Sequence, residues 1–321
     1  MPWNTAIPVL IWAIICIPLS VLIWFKRPKD KLTNILILLD YLLANLFCIL
    51  CINWVIVNYW LRFLPLVLFI VLTMRFISND KRAIFLPRRS RLALIVVGLL
   101  ILPVVSFFDV RALSSLSHVN QAGQTAYLAF PLRLGLYATL NGGNGLDGIG
   151  LNSYYQDWLG RKTGAGQGMV YAIDAVKISL EGSLTFSGAI LPHDHNDYIG
   201  FLDRVYSPCN GTVEYIEDNH PELEPFTSSP GAGLGNLIVI RCVDLYVTLS
   251  NLRNTSIAVK VGDTVSYRNL IATVGNTADN TFPHLHIQVN KGSRDGPAVP
   301  MLFEGFENIN RFIVRNALTN R

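Results

Sequence analysis

The chain has 321 residues, 51% of them apolar, and a formal charge of +4, which is length enough for two domains. Residues 1–108 hold 11 Lys/Arg against 3 Asp/Glu and residues 109–321 hold 15 against 19, so the two parts carry +8 and −4. The positive excess therefore sits among the apolar runs, where it reports membrane topology, and a nucleic-acid partner drawn by overall charge is excluded.

Four apolar stretches, at about 3–25, 33–56, 59–77 and 92–108, approach the roughly 20 residues that a bilayer crossing takes. The first is too long for a signal peptide, and basic residues follow it rather than precede it. FKRPKDK after the first stretch and RFISNDKRAIFLPRRSRL between the third and fourth are basic, whereas the connection around Asn58 to Arg62 is not. The positive-inside rule then places both basic loops in the cytoplasm and both chain ends outside, with Trp54, Tyr59 and Trp60 in an outer interfacial belt. Asp40 is the acid expected at bilayer depth. Asn45 lies about 140° around the helix from it and Ala44, one turn on, offers no hydrogen bond. A structural hydrogen bond to another helix is the expectation, ahead of a transport pathway.

From about residue 125 the pattern changes to short β-type runs punctuated by Gly, Asn, Asp and Pro. YLAFPLRLGLYATL, VYAIDAVKI, GTVEYI, GNLIVIRCV, LYVTLSNL, TVSYRNLIATVG and PHLHIQV read as strands. No amphipathic helix of ten or more residues separates them. The expected fold class is thus an N-terminal α-helical transmembrane bundle of four spans followed by an all-β domain of antiparallel sheets, as a sandwich or open barrel. The boundaries fall at 1–110 for the membrane region, 111–124 for a linker, 125–305 for the β domain and 306–321 for a tail. Residues 141–168 and 217–235 read as long loops. Cys16, Cys48 and Cys51 are expected as packing residues of the spans. Cys209 and Cys242 are expected as two buried thiols on neighbouring strands, with a disulfide as the alternative.

The run FPHLHIQVN places His284, His286 and Gln288 on one face of a strand, with Leu285, Ile287 and Val289 on the other. Two imidazoles on one face are a start to a zinc site. In VYAIDAVKI, Asp174 shares a face with Ala172 and Val176, and a carboxylate in so apolar a run calls for compensation, which a metal shared with the histidine strand would give.

These segments, taken in order, resemble the LytM/lysostaphin-type zinc endopeptidases that cut peptide bonds in bacterial peptidoglycan. YLAFPLRLG and NGG lead in, and YAID, YSPCNGTVEYI, GNLIVI, SNL, IAVKVGDTV and GNTADNTFPHLHIQV follow at the family's spacing. The resemblance covers about residues 125 to 300. It implies one zinc ion with Asp174 and His286 as ligands and His284 as the catalytic histidine. It further implies a bound water of lowered pKa and a polarised scissile carbonyl, with His284 handling the proton or the oxyanion. Two departures stand out. Val170 occupies the position of the family's first zinc histidine, and Tyr154, in NSYY, occupies the position from which some relatives supply it. Asn251, in TLSNLRN, stands where relatives carry a second catalytic histidine; it could still donate to an oxyanion.

The missing ligand is sought in LPHDHND, where His193 and His195 sit two apart, flanked by Asp194 and Asp197; His118 and His220 are weaker candidates. The resemblance implies a multi-pass protein of the cytoplasmic (inner) membrane whose C-terminal domain lies outside the cytoplasm and meets peptidoglycan or a peptide substrate. Two functions follow: an active zinc metallopeptidase, or a degenerate domain that binds peptidoglycan or regulates another wall hydrolase. A transporter resting on Asp40 is the third reading.

Overall fold

The computed structural model describes residues 3–25, 27–78, 83–114, 125–142, 152, 154, 167–227, 229, 231–279, 282–303 and 318–320. The chain divides into two units, Met1–Ile52 with Trp60–Ser114 and Asn53–Tyr59 with Ser115–Arg321. Most of the 111–124 linker, most of the 141–168 loop, His118 and most of the 306–321 tail lie outside the described residues.

The first unit is helical. In chain order it contains α1 (Trp3–Phe25), strand β1 (Arg27–Pro28) and α2 (Lys31–Cys51). After the short helix α3 (Trp54–Val57), which goes with the second unit, come α4 (Leu64–Ser78), strand β2 (Ala83–Ile84) and α5 (Arg88–Ser114). The start of α2 is fixed by Asp30, whose carboxylate accepts the Thr33 N–H at 2.9 Å and its hydroxyl at 2.6 Å. Among the described residues, Lys31–Cys51, Tyr59–Ser78 and Arg88–Ser114 are long and apolar enough to cross a membrane, and the Ile14–Phe25 part of α1 is apolar as well. Three of the four expected stretches therefore meet the criterion. Cys16, Cys48 and Cys51 are buried free thiols, as expected.

Asp40 departs from expectation. It is buried, and its Oδ1 finds no hydrogen-bond partner among the described residues. Gly98 of α5 faces it instead, where an added Cβ would come within 2.8 Å of the carboxylate. A small residue there lets the acid fit between helices. Because α5 runs on to Ser114, past the expected end at 108, it also buries a second acid, Asp109, with neither oxygen paired among the described residues.

The second unit is built of strands β3 (Ala126–Leu128), β4 (Leu136–Asn141), β5 (Ile173–Ile178), β6 (Arg204–Tyr206), β7 (Gly211–Glu217), β8 (Asn236–Cys242), β9 (Leu245–Leu252), β10 (Thr264–Val265), β11 (Leu270–Thr273), β12 (Leu285–Lys291), β13 (Met301–Phe303) and β14 (Leu318–Asn320). Eight of them form one antiparallel sheet in the order β10-β7-β8-β9-β12-β5-β4-β14. The pairs β11–β6 and β13–β3 form a smaller second layer. The latter pair is parallel, the one departure here from the antiparallel expectation. Alternation decides which side chains fill the space between layers. Ile173, Ala175, Leu285, Ile287, Val289, Val247, Leu249, Ile238 and Ile240 pack there against Val205, Ile271, Met301 and Phe303.

A second core lies on another part of this unit. It joins Ala138, Leu140, Val176, Ile178, Leu184, Tyr198 and Phe282 to Val55, Ile56 and Tyr59. The segment 53–59, which connects two apolar helices in the sequence, is thus an integral part of the β unit. Asn53 Nδ2 donates to the Leu140 carbonyl at 3.2 Å, and the Tyr59 N–H donates to the Gly182 carbonyl at 2.9 Å.

Cys209 and Cys242 form a disulfide with their Cα atoms 6.2 Å apart, which corrects the expected pair of thiols. The cause is register. Thr212 pairs with Arg241 across β7 and β8, so the residues just before β7 come alongside the end of β8.

Candidate functional site

The face of the large sheet opposite the main core carries the residues singled out from the sequence. His286 of β12 is the register partner of Asp174 on β5, and Asn141 of β4 is the next partner along after a bulge. Directly opposed residues on neighbouring antiparallel strands point to the same face, so the three polar groups meet. His286 Nδ1 lies 3.0 Å from Asp174 Oδ1, His284 Nε2 lies 3.6 Å from the same oxygen, and Asn141 Nδ2 donates to Asp174 Oδ2 at 2.6 Å.

This face is no open groove. Asp174 is 4% exposed, His284 6% and His286 1%. The expected outward-facing pair of imidazoles is therefore enclosed. Tyr154 is a principal reason. Its hydroxyl lies 2.7 Å from Asp174 Oδ1 and 2.9 Å from His286 Nδ1, and its ring meets the His286 imidazole edge-on at 4.9 Å.

The hydrogen bonds fix one proton. Gly168 and Gly296 carbonyls can only accept, so Asn290 turns its amide nitrogen to them, at 2.9 and 2.8 Å. Its Oδ1 then accepts from Gln288 Nε2 at 3.0 Å, which leaves Gln288 Oε1 to accept from His286 Nε2, 3.1 Å away. His286 Nε2 therefore carries a hydrogen, and Nδ1 is the nitrogen that faces Asp174 and Tyr154. Gln288 belongs to the face expected from the sequence; Asn290 extends the same two-residue period by one step.

Asn251 is committed elsewhere. Its Oδ1 accepts the backbone N–H groups of Thr277 at 2.8 Å and Ala278 at 2.9 Å, and its Nδ2 donates to the His284 carbonyl at 3.0 Å. It adopts φ +64°, in the left-handed region that asparagine tolerates better than most residues. His284 Nδ1 lies 2.7 Å from the Phe282 carbonyl, which can only accept, so this nitrogen also carries a hydrogen. Asn251 is a staple between β9 and the turn that leads into β12, rather than a free donor for an oxyanion.

His193 and His195 are not brought to Asp174 and His286. His193 is exposed, with its ring 6.3 Å from that of Phe226, and His195 packs at 4.4 Å on Phe201. Their loop is held by its own bonds, with Asp194 accepting the Asn196 N–H and Asp197 the Ser187 N–H, each at 2.9 Å. His220 pairs instead with Glu217 at 2.7 Å. Val170, at the family's first histidine position, is buried against Tyr171.

The electrostatics follow from the geometry. Burial alone would raise the Asp174 pKa, but the nearby His284 and His286 and the hydrogen bond from Asn141 outweigh it and hold the carboxyl at about 2. Burial of its hydroxyl end and the adjacent Asp174 charge push the Tyr154 phenol well above its ordinary range.

A catalytic zinc takes three protein ligands and keeps one position open. Among the described residues no group of three His, Cys, Asp or Glu side chains is placed to hold a metal. Asp174 and His286 supply two donors. The third place is filled by a phenol that keeps its proton, and Ser250 Oγ, the unpaired atom beside His286 on this face, is a neutral hydroxyl. The described residues do not by themselves complete a catalytic zinc site.

The family model for Peptidase family M23 matches residues 197–297. That span contains Asn251, His284 and His286, whereas Tyr154 and Asp174 precede it. No curated protein matches the chain at a significant level. Solved structures similar to it include a mutant catalytic domain of the prophage-encoded M23 protein EnpA from Enterococcus faecalis, at 20% identity and TM-score 0.23 over 32% of this chain and 75% of that one. A zinc-containing peptidase from Vibrio cholerae is 27% identical at TM-score 0.24, over 35% of this chain and 31% of that one. The catalytic domain of the antimicrobial peptidase lysostaphin from Staphylococcus simulans is 20% identical at TM-score 0.22, over 33% and 79%. The chain thus spans less than a third of the length of the second of these.

Proposed function

We propose, from the premise that residues 197–297 are a Peptidase family M23 domain, that this chain is a membrane-anchored, extracytoplasmic module that binds cell-wall peptidoglycan or regulates a wall hydrolase without cutting peptide bonds itself. The observation that carries this reading is Tyr154. A phenol stands between Asp174 and His286 at 2.7 and 2.9 Å, where a third metal ligand would be needed. Val170 and Asn251 support it, since neither retains the chemistry of the histidine it replaces. The three helices of sufficient length and apolarity support anchoring. The Cys209–Cys242 disulfide supports an oxidising compartment outside the cytoplasm.

The active-peptidase reading keeps one observation in its favour, the meeting of Asp174, His284 and His286. The full chain in lipid nanodiscs decides between them when offered purified muropeptides with and without a chelator. Retention of intact muropeptides that a chelator leaves unchanged is the expected result. Release of cleaved cross-link peptides, abolished by the chelator, would overturn the non-catalytic reading.

A further inference from the structure

The segment 53–59 belongs to the β unit, yet it is bounded in sequence by two apolar helices. Cys51 ends one candidate span, and Tyr59 begins the next, Tyr59–Ser78. The Tyr59 N–H donates to the Gly182 carbonyl at 2.9 Å, and Asn58 Nδ2 donates to the Glu181 carbonyl at 2.8 Å. The loop around Gly182 is therefore one hydrogen bond away from the first residue of a candidate span.

That loop shows its apolar side outward. Leu180 is 79% exposed, Phe186 72% and Ile190 57%. Its polar groups, by contrast, are largely turned on one another. Ser183 Oγ donates to the Thr185 carbonyl at 2.9 Å, Thr185 Oγ1 donates to the Ala189 carbonyl at 2.9 Å, and Asp197 accepts the Ser187 N–H at 2.9 Å. Glu181 is the sole charged residue between positions 180 and 190. A loop that projects large apolar side chains, with part of its polar groups bonded internally, suits the boundary between headgroups and acyl chains.

We infer that the 180–190 loop is a membrane-contact surface, with Leu180, Phe186 and Ile190 seated in the interfacial zone of the same bilayer that holds the apolar helices. The inference rests on reading those helices as membrane spans. The occupant is lipid because the loop is continuous, through segment 53–59, with residues that enter the bilayer. Apolar side chains at the headgroup and acyl boundary gain in proportion to the area they bury there.

The test uses the full chain in nanodiscs that contain phospholipids with a photoreactive diazirine near the glycerol backbone. After irradiation, reduction and trypsin digestion, adducts are mapped by mass spectrometry. Cleavage after Lys177 and Arg204 isolates the loop as one peptide, and cleavage after Arg241 and Arg253 isolates a control that contains the 86% exposed Val243. Expected are adducts on the helix peptides and, several-fold above the control, on the loop peptide. A Leu180→Ser/Phe186→Ser variant that melts at the wild-type temperature should lose most of the loop adducts. Labelled helices with a loop at the control level would overturn the inference and leave the membrane reading standing, assigning the patch to a protein partner. Loop adducts that persist in the double variant would also overturn it. Unlabelled helices would overturn both.

Discussion

Asp174 and His286 are register partners on adjacent antiparallel strands, and their side chains approach to 3.0 Å in a site where neither is more than 5% exposed. The pair is closed by Tyr154 on one side and by the His286–Gln288–Asn290 chain on the other. Its hydrogen bonds are those of a buried polar core. Such a core rewards completeness, since each member left unpaired costs its full desolvation.

Removing one member should therefore be severe. His286→Ala leaves a buried carboxylate without its ion-pair partner at 3.0 Å and is expected to destabilise the β unit by about 3–5 kcal/mol. Denaturant unfolding of the purified chain, followed by fluorescence, measures this. A loss below about 1 kcal/mol, the range of an exposed ion pair, would show that the pair is not coupled as described.

Tyr154→His should create what the site lacks. With a third imidazole or carboxylate donor beside Asp174 and His286, zinc after exhaustive dialysis is expected to rise from well below one equivalent to near one per chain. Elemental analysis of both proteins provides the check. Stoichiometric zinc in the unaltered chain would sink the polar-core description.

Asn251→Ala removes the acceptor for two backbone amides, Thr277 and Ala278, and the donor to the His284 carbonyl. Orphaned buried amides cost about 1–3 kcal/mol each, so a loss of roughly 2–4 kcal/mol is expected, with hydrogen exchange accelerated first at 277–278. Unchanged exchange there would exclude the stapling role.

The pH dependence follows from Asp174. Its folded pKa, at about 2, lies below the ordinary value of about 3.9, so its contribution to stability is full above that value and is lost as pH falls through the folded pKa. On the order of 2 kcal/mol should therefore disappear between about pH 4 and pH 2 in the unaltered chain. Asp174→Asn should flatten that limb relative to the parent in acid titrations of unfolding; parallel curves would contradict the assignment.

Reduction of Cys209–Cys242 releases a loop with a sequence separation of 33. Loop-closure entropy then gives a loss of about 3–4 kcal/mol. A melting temperature that does not move on adding a membrane-permeant reductant would show that the bond is absent in solution or contributes nothing.

Much of the site was legible in the sequence because strand alternation is a local property. Two-residue periodicity placed Asp174 on one side of its strand and His284, His286 and Gln288 on one side of theirs, and Leu285, Ile287 and Val289 opposite them. The order of motifs supplied the family before any contact was known. Asn141 was within the quoted NGG lead-in, but only the bulge in the β4–β5 register aims it at Asp174.

What the tertiary structure decided are the meetings between distant segments. Tyr154 was named from the sequence as standing where a histidine is expected, yet only the fold shows its hydroxyl between Asp174 and His286. His193 and His195, plausible by spacing, form no metal-holding group with Asp174 and His286 among the described residues. The disulfide depends on the β7–β8 register, and the assignment of 53–59 to the β unit depends on a core shared with residues more than a hundred positions away. Periodicity fixes which way a side chain faces its own strand. Which groups then share a pocket is set by long-range packing, where burial and hydrogen-bond satisfaction are decided for the whole unit at once.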